Sequence, residues 1–196
     1  MGKKSMFEPK FKRRRSGATN YKKRLALLKS GTPRLVVRKT NCYIIAQVLN
    51  YAPEGDVVIA AANSSELGKV GWGFSKKNLC AAYLTGLLIA QKAKKKNVAE
   101  AIFDIGLQSN VHGGRVFAVL KGALDGGMKI AHEDVVLPSA ERISGKHIEN
   151  YAKTINAAEN KLQFSKCIEG KMPLGNISGS FESAKKKIIE SEAEQK

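Results

Sequence analysis

Residues 34–62 read RLVVRKTNCYIIAQVLNYAPEGDVVIAAA. This stretch decides the fold. It breaks into three strand-like runs, Arg34–Asn41, Tyr43–Leu49 and Asp56–Ala62. The first alternates in part, with Leu35 and Val37 on one face and Arg34, Val36, Arg38 and Thr40 on the other. The second and third are apolar almost throughout, the pattern of strands covered on both faces. Asn50–Gly55, with Pro53 and Gly55, reads as a hairpin loop. Between the first two runs there is room only for a tight reversal, and Asn41 tolerates the left-handed backbone such a turn uses.

Downstream, Asn63–Phe74 reads as a loop around Trp72, the only tryptophan. Ser75 is placed to cap a long helix from Lys76 to Lys96, with Leu79, Tyr83, Leu87 and Ala90 along one face. A short run, Ala101–Ile105, returns to the sheet, and a helix-length crossover favours pairing it parallel. Gly113-Gly114 opens a helix Arg115–Asp125 that Gly126-Gly127 closes. Ser144 is placed to start a helix through Ile148, Ala152 and Ile155, and from Asn156 onward the chain reads as polar and Gly-containing, ending in a mobile, alternating Lys/Glu tail. The sum is one α/β fold: a three-stranded antiparallel meander plus a parallel strand, packed with helices. Its order of elements also describes ribonuclease-H-like domains. The division expected is a basic arm with a short helix (1–31), an α/β core (32–130) and a C-terminal helical extension with tail (131–196).

Upstream lies most of the charge. The chain has 196 residues and a formal net charge of +17. Residues 1–40 hold 14 Lys+Arg and a single acid, Glu8, so the remainder is nearly balanced. A cationic arm on a near-neutral globule is the footprint of a polyanionic partner. Residues 1–18 show no apolar period and read as extended. Thr19 is placed to cap a helix with Tyr21, Leu25 and Leu28 at i, i+4 and i+7. Phe11 and Tyr21 stand among the cations, so phosphates could be met by charge and unstacked bases by rings. With Arg34 and Arg38 on one strand face, arm, helix and sheet read as one continuous cationic surface.

Several chemistries are excluded or weakened. No apolar segment is long enough for a membrane span. Cys42, Cys80 and Cys167 are scattered, which argues for a reducing compartment and against a zinc site. A ribonuclease-H-type metal centre needs an acid on the first strand, which here offers only Arg34, Arg38 and Lys39. Asp56, Asp104 and Asp125 read as turn formers or caps. His112, His132 and His147 stand in no nucleophile motif, and the glycine pairs lack a phosphate-loop frame. Lys76 and Lys77 sit just after the cap Ser75, against the helix dipole, a conflict that an anion there would remove. No zinc finger, leucine zipper or RNA-recognition-motif signature is present, which points to recognition of a folded RNA by shape and backbone.

The run TPRLVVRKTNCYIIAQV (32–48) closely resembles the large-subunit ribosomal protein family numbered eighteen, and RRRSGATNYKKRLALL (13–28) resembles its archaeal and eukaryotic branch. AYLTGLL (82–88), GRVFAVLKGALDGG (114–127) and KHI (146–148) continue the resemblance in order. The length is similar to that of the archaeal form, and the eukaryotic members are called ribosomal protein five. The resemblance implies a ribonuclease-H-like topology without catalysis or cofactor, in a cytoplasmic protein of the large ribosomal subunit. It implies binding of 5S rRNA in the central protuberance, near 23S rRNA and the neighbouring protein five, with no membrane and no small-molecule substrate. Carried over by position, the RNA contacts are Arg13, Arg14, Arg15, Thr19, Asn20, Tyr21, Arg24, Arg34, Arg38 and Asn41, followed by Arg115, Arg142, Lys146 and His147. The competing readings of the same residues are a structure-specific RNA nuclease and a general RNA chaperone.

Overall fold

The computed structural model describes residues 9–154 and 174–193. Four strands form one mixed sheet in the order β3-β2-β1-β4. They are β1 (Arg34–Lys39), β2 (Ile44–Asn50), β3 (Val57–Asn63) and β4 (Ile102–Asp104). β1 pairs antiparallel with β2 and parallel with β4, and β2 pairs antiparallel with β3. The expected α/β class, antiparallel meander and parallel fourth strand are therefore all present.

The first reversal differs from expectation. Tyr43 donates its N–H to Thr40 Oγ1 at 2.9 Å, and Thr40 donates its own N–H to Tyr43 O at 2.8 Å. Thr40 therefore makes the turn. Asn41 does not adopt the left-handed region, which among described non-glycine residues is occupied only by Asn97. β3 is also corrected: it is an edge strand, with Ala60 and Ala62 buried but Val57, Val58 and Ala61 exposed. Its register shifts beside Val48/Leu49, a bulge of the kind that twists an edge away from further pairing.

Asn63–Phe74 is not a plain loop. Ser64–Val70 forms a 3-10 helix, because Asn63 accepts from Ser65 N–H while Glu66 accepts from Asn63 N–H at 3.0 Å. The long helix, α3 (Leu79–Lys94), starts later than expected, since Asn78 rather than Ser75 caps it through Ala81 N–H at 2.7 Å. Lys76 and Lys77 thus precede the helix, and the conflict with its dipole does not arise. α3 is buried nearly all round because it separates two cores. One side packs Ala82, Ile89 and Ala93 with Leu35, Val37, Ala46 and Val48 of the sheet. The other packs Cys80, Tyr83 and Leu84 with Leu67 and Trp72.

α4 (Arg115–Asp125) opens at Gly114 as expected and crosses α3 at backbone contact. A Cβ on Gly86 would lie 2.1 Å from Val119 O, and one on Gly122 would lie 2.1 Å from Tyr83 O. Only glycine permits this approach.

The C-terminal part is corrected twice. Ser144 ends α5 (Ala140–Ser144), and Gly145, at φ +89°, turns the chain into α6 (Lys146–Thr154). Ile155, the last residue expected in that helix, lies outside the described residues, as does Cys167. The expected C-terminal helical extension includes a helix, Ile177–Ala193, hereafter α7, within the segment read as polar. Its Ile177, Phe181, Ala184 and Ile188 are buried in the second core. Glu149 fixes the start of α7: one carboxylate oxygen accepts both the N–H and the hydroxyl of Ser178 at 2.6 Å. The Ser178 hydroxyl holds the Glu149 carboxyl below the usual carboxylate range, against the opposing effect of burial. In the same core, burial pushes the Cys80 thiol up to about 12, which leaves it inert. Among the described residues no helix is long and apolar enough to cross a membrane.

Candidate nucleic-acid interface

The interface begins in the arm. Lys12–Arg15 is not extended but forms a one-turn helix, α1, entered at Phe11. Four successive cations on one turn point in all directions. Arg13 is drawn back, its Nε donating to Thr19 Oγ1 at 2.9 Å. Thr19 is therefore occupied, and Asn20, not Thr19, caps α2 (Tyr21–Leu28) by accepting from Lys23 N–H at 3.1 Å. Arg13, Arg14 and Arg15 are exposed and have no carboxylate partner among the described residues. Phe11 is 82 % exposed, and Tyr21 and Leu25 also face solvent. No residue of α2 is buried.

Below α2 the arginines behave differently. Arg24 pairs with Asp56 at 2.9 Å; Arg34 pairs with Asp56 at 2.6 Å and with Asp104 at 2.9 Å. Arg38 reaches Asp104 Oδ1 at 3.4 Å and donates to the carbonyls of Val37 and Asp104 at 2.8 and 2.9 Å. The five groups form an alternating chain with a surplus of one positive charge. Arg34, expected on the RNA-facing sheet surface, is only 3 % exposed, so its role here is to lock strands together. Asp56 and Asp104, expected as turn formers or caps, are the other half of that lock. The cause is register: parallel pairing sets Asp104 beside Val36, between Arg34 and Arg38 on the same sheet face.

Arm, α2 and the open sheet face enclose a groove of about 710 Å³. Arg13, Thr19, Asn20, Arg24, Arg34 and Arg38 all line it. Arg14, Arg15 and Tyr21 lie in the same arm and helix but do not line it, and Asn41 sits exposed in the turn after β1. Arg115, Arg142, Lys146 and His147 are elsewhere, around the starts of α4, α5 and α6. Arg115 points back to Lys77 O at 3.5 Å. Burial, and then the neighbouring charge of Arg142, pull the His147 pKa down. Sequence reasoning missed Gln108 on the groove wall and Gly106 beneath Arg38, whereas Lys23, also on the wall, belongs to the run of cations around Arg13–Arg24.

A profile of the family described as "Ribosomal large subunit proteins 60S L5, and 50S L18" matches residues 5–101 and 91–133. The "Large ribosomal subunit protein uL18" of Korarchaeum cryptofilum is 47 % identical over 189 residues, spanning 96 % of this chain and 97 % of that protein. The chain belongs to this family. Proteins of the same name from Caldivirga maquilingensis and Thermofilum pendens are 44 % and 46 % identical, each over 97 % of this chain and over 94 % and 98 % of their own. This is thus a large-subunit ribosomal protein of the archaeal type, working on the cytoplasmic ribosome and not as an enzyme. Its family membership fits the carboxylates of the groove, which are tied to arginines rather than held free.

Proposed function

We propose that the protein binds 5S rRNA and helps to hold it in the central protuberance, beside 23S rRNA and protein five. The observation that carries this reading is α1: Lys12–Arg15 are exposed cations, with aromatic Phe11 and Tyr21 close by. Guanidiniums without a carboxylate partner among the described residues meet phosphates with no ion pair to break there, and phosphate contacts dominate nucleic-acid affinity. In this reading residues 1–31 grip the RNA, 32–130 form the supporting core and 131–196 the extension. Arg13, Arg14, Arg15, Thr19, Asn20, Tyr21, Arg24, Arg38 and Asn41 make contacts near the groove. Arg115, Arg142, Lys146 and His147 form a second, smaller contact. Sequencing the RNA that copurifies from cells at moderate salt tests the proposal. It predicts strong enrichment of 5S rRNA together with 23S rRNA. An even spread over structured RNAs would favour a general chaperone, and Mg²⁺-dependent cleavage by clean protein would favour a nuclease.

A further inference from the structure

The groove beneath α2 is rich in arginine, and although Arg13 and Lys23 at its wall leave it net positive, its inner arginines are already paired. Arg24, Arg34 and Arg38 are matched by the carboxylates of Asp56 and Asp104, which also line it. A phosphate entering here would meet two negative groups as well as the guanidiniums, whereas Arg14 and Arg15 outside have no carboxylate partner among the described residues. The walls also include Leu27, Val36, Leu49 and Phe103, an apolar setting that suits a heterocycle better than a phosphate.

Two buried atoms sharpen the choice. Arg34 Nε and Gln108 Oε1 have no hydrogen-bond partner among the described residues, and both residues line the groove. The first can only donate and the second can only accept. Gln108 is held in this orientation because its Nε2 donates to Val37 O at 3.2 Å, and turning the amide would set oxygen against oxygen. A phosphate offers acceptors alone and leaves Gln108 unmet. Guanine offers both: O6 and N7 accept from a guanidinium, while N1–H and N2–H donate to an amide or carboxylate oxygen. Arg38 is ready for such a base. Two backbone carbonyls fix its Nη1, and its side chain is 41 % exposed. Gly106 allows this placement, because a Cβ there would lie 2.7 Å from Arg38 Cζ.

Resting on the RNA-binding reading above, we infer that this groove receives one unpaired guanine extruded from the bound RNA. Arg38 reads its O6/N7 edge, Gln108 Oε1 accepts from N1–H and N2–H once the entering base displaces the side chains that cover it, and Asp104 and Gly106 are positioning residues that hold Arg38 in place. The arm supplies phosphate contacts; the groove supplies a base contact.

The test uses the full chain, 5S rRNA and kethoxal, which modifies the N1/N2 edge of unpaired guanine. Wild-type protein protects one guanine from the reagent, and Gln108→Leu restores its reactivity. Gln108→Leu and an abasic substitution at that guanine each weaken binding about tenfold, with little further loss when combined. Neither changes the salt dependence, since a base contact releases no counterions. The abasic RNA leaves the protein untouched, so a folding defect in Gln108→Leu cannot imitate its result. Binding that is indifferent to both changes, while Arg13→Ala/Arg14→Ala/Arg15→Ala still lowers the salt slope, overturns the base pocket and leaves the RNA reading intact. Failure of the wild-type protein to bind 5S rRNA overturns both.

Discussion

Two sets of arginines, a few residues apart in space, do opposite work. Arg13, Arg14 and Arg15 stand on an exposed turn without carboxylate partners among the described residues, whereas Arg34 is buried between Asp56 and Asp104. Arg24 and Arg38 lie between these extremes, each paired yet still in part exposed. Residue type and charge are the same throughout. What differs is the counter-charge, which decides whether a guanidinium is free for a phosphate or committed to the fold.

The largest effect expected from this contrast is at Arg34. Arg34→Ala leaves Asp104 and Asp56 short of a buried partner and should destabilise the protein by about 3–5 kcal/mol. Denaturant unfolding measures this, and a loss below about 1 kcal/mol would break the contrast. Next is the arm. Arg13→Ala/Arg14→Ala/Arg15→Ala should weaken 5S rRNA binding about 100-fold near physiological salt while leaving the melting temperature unchanged. Arg24→Ala sits between the two sets. It should cost about 1 kcal/mol of stability and several-fold in affinity, because its ion pair is still partly exposed. The smallest effect concerns the far side of the molecule. Glu149 has a folded pKa below its unfolded value, so its contribution to holding α7 is complete above about pH 5. It is lost as pH falls through the folded pKa. Glu149→Gln keeps an acceptor oxygen and should remove only about 0.5 kcal/mol at pH 7 while flattening the acid limb of the stability profile.

The sheet was legible because its signals are local: apolar runs at Arg34–Ala62, Pro53 and Gly55 at the hairpin, and glycine pairs flanking α4. Cap positions were legible only to within a few residues. Thr19 and Asn20 are adjacent candidates with equal chemistry, and Thr19 is already occupied by Arg13. Ser75 likewise lost to Asn78 because the segment from Trp72 to Ser75 is fixed by its own contacts, including Trp72 Nε1–H donating to Ser75 O at 3.2 Å. α7 was hidden because its stripe Ile177, Phe181, Ala184 and Ile188 is interleaved with serines and lysines and finds its partners on elements distant in sequence, α3 about 90 residues away among them. The candidate site was half legible. Exposed cations announce themselves in sequence, but a buried ion pair depends on strand register. Arg34 and Asp104 are 70 residues apart and meet only once β4 joins β1 in parallel.

The division of labour between free and paired arginines is tested most directly by the salt dependence of 5S rRNA binding. With about six phosphates neutralised, log K against log salt should fall with a slope of about −4 to −5 for the wild-type protein. It should fall to about −2 to −3 once Arg13, Arg14 and Arg15 are replaced by alanine. A wild-type slope near −1, or one that those three replacements leave unchanged, would contradict the account.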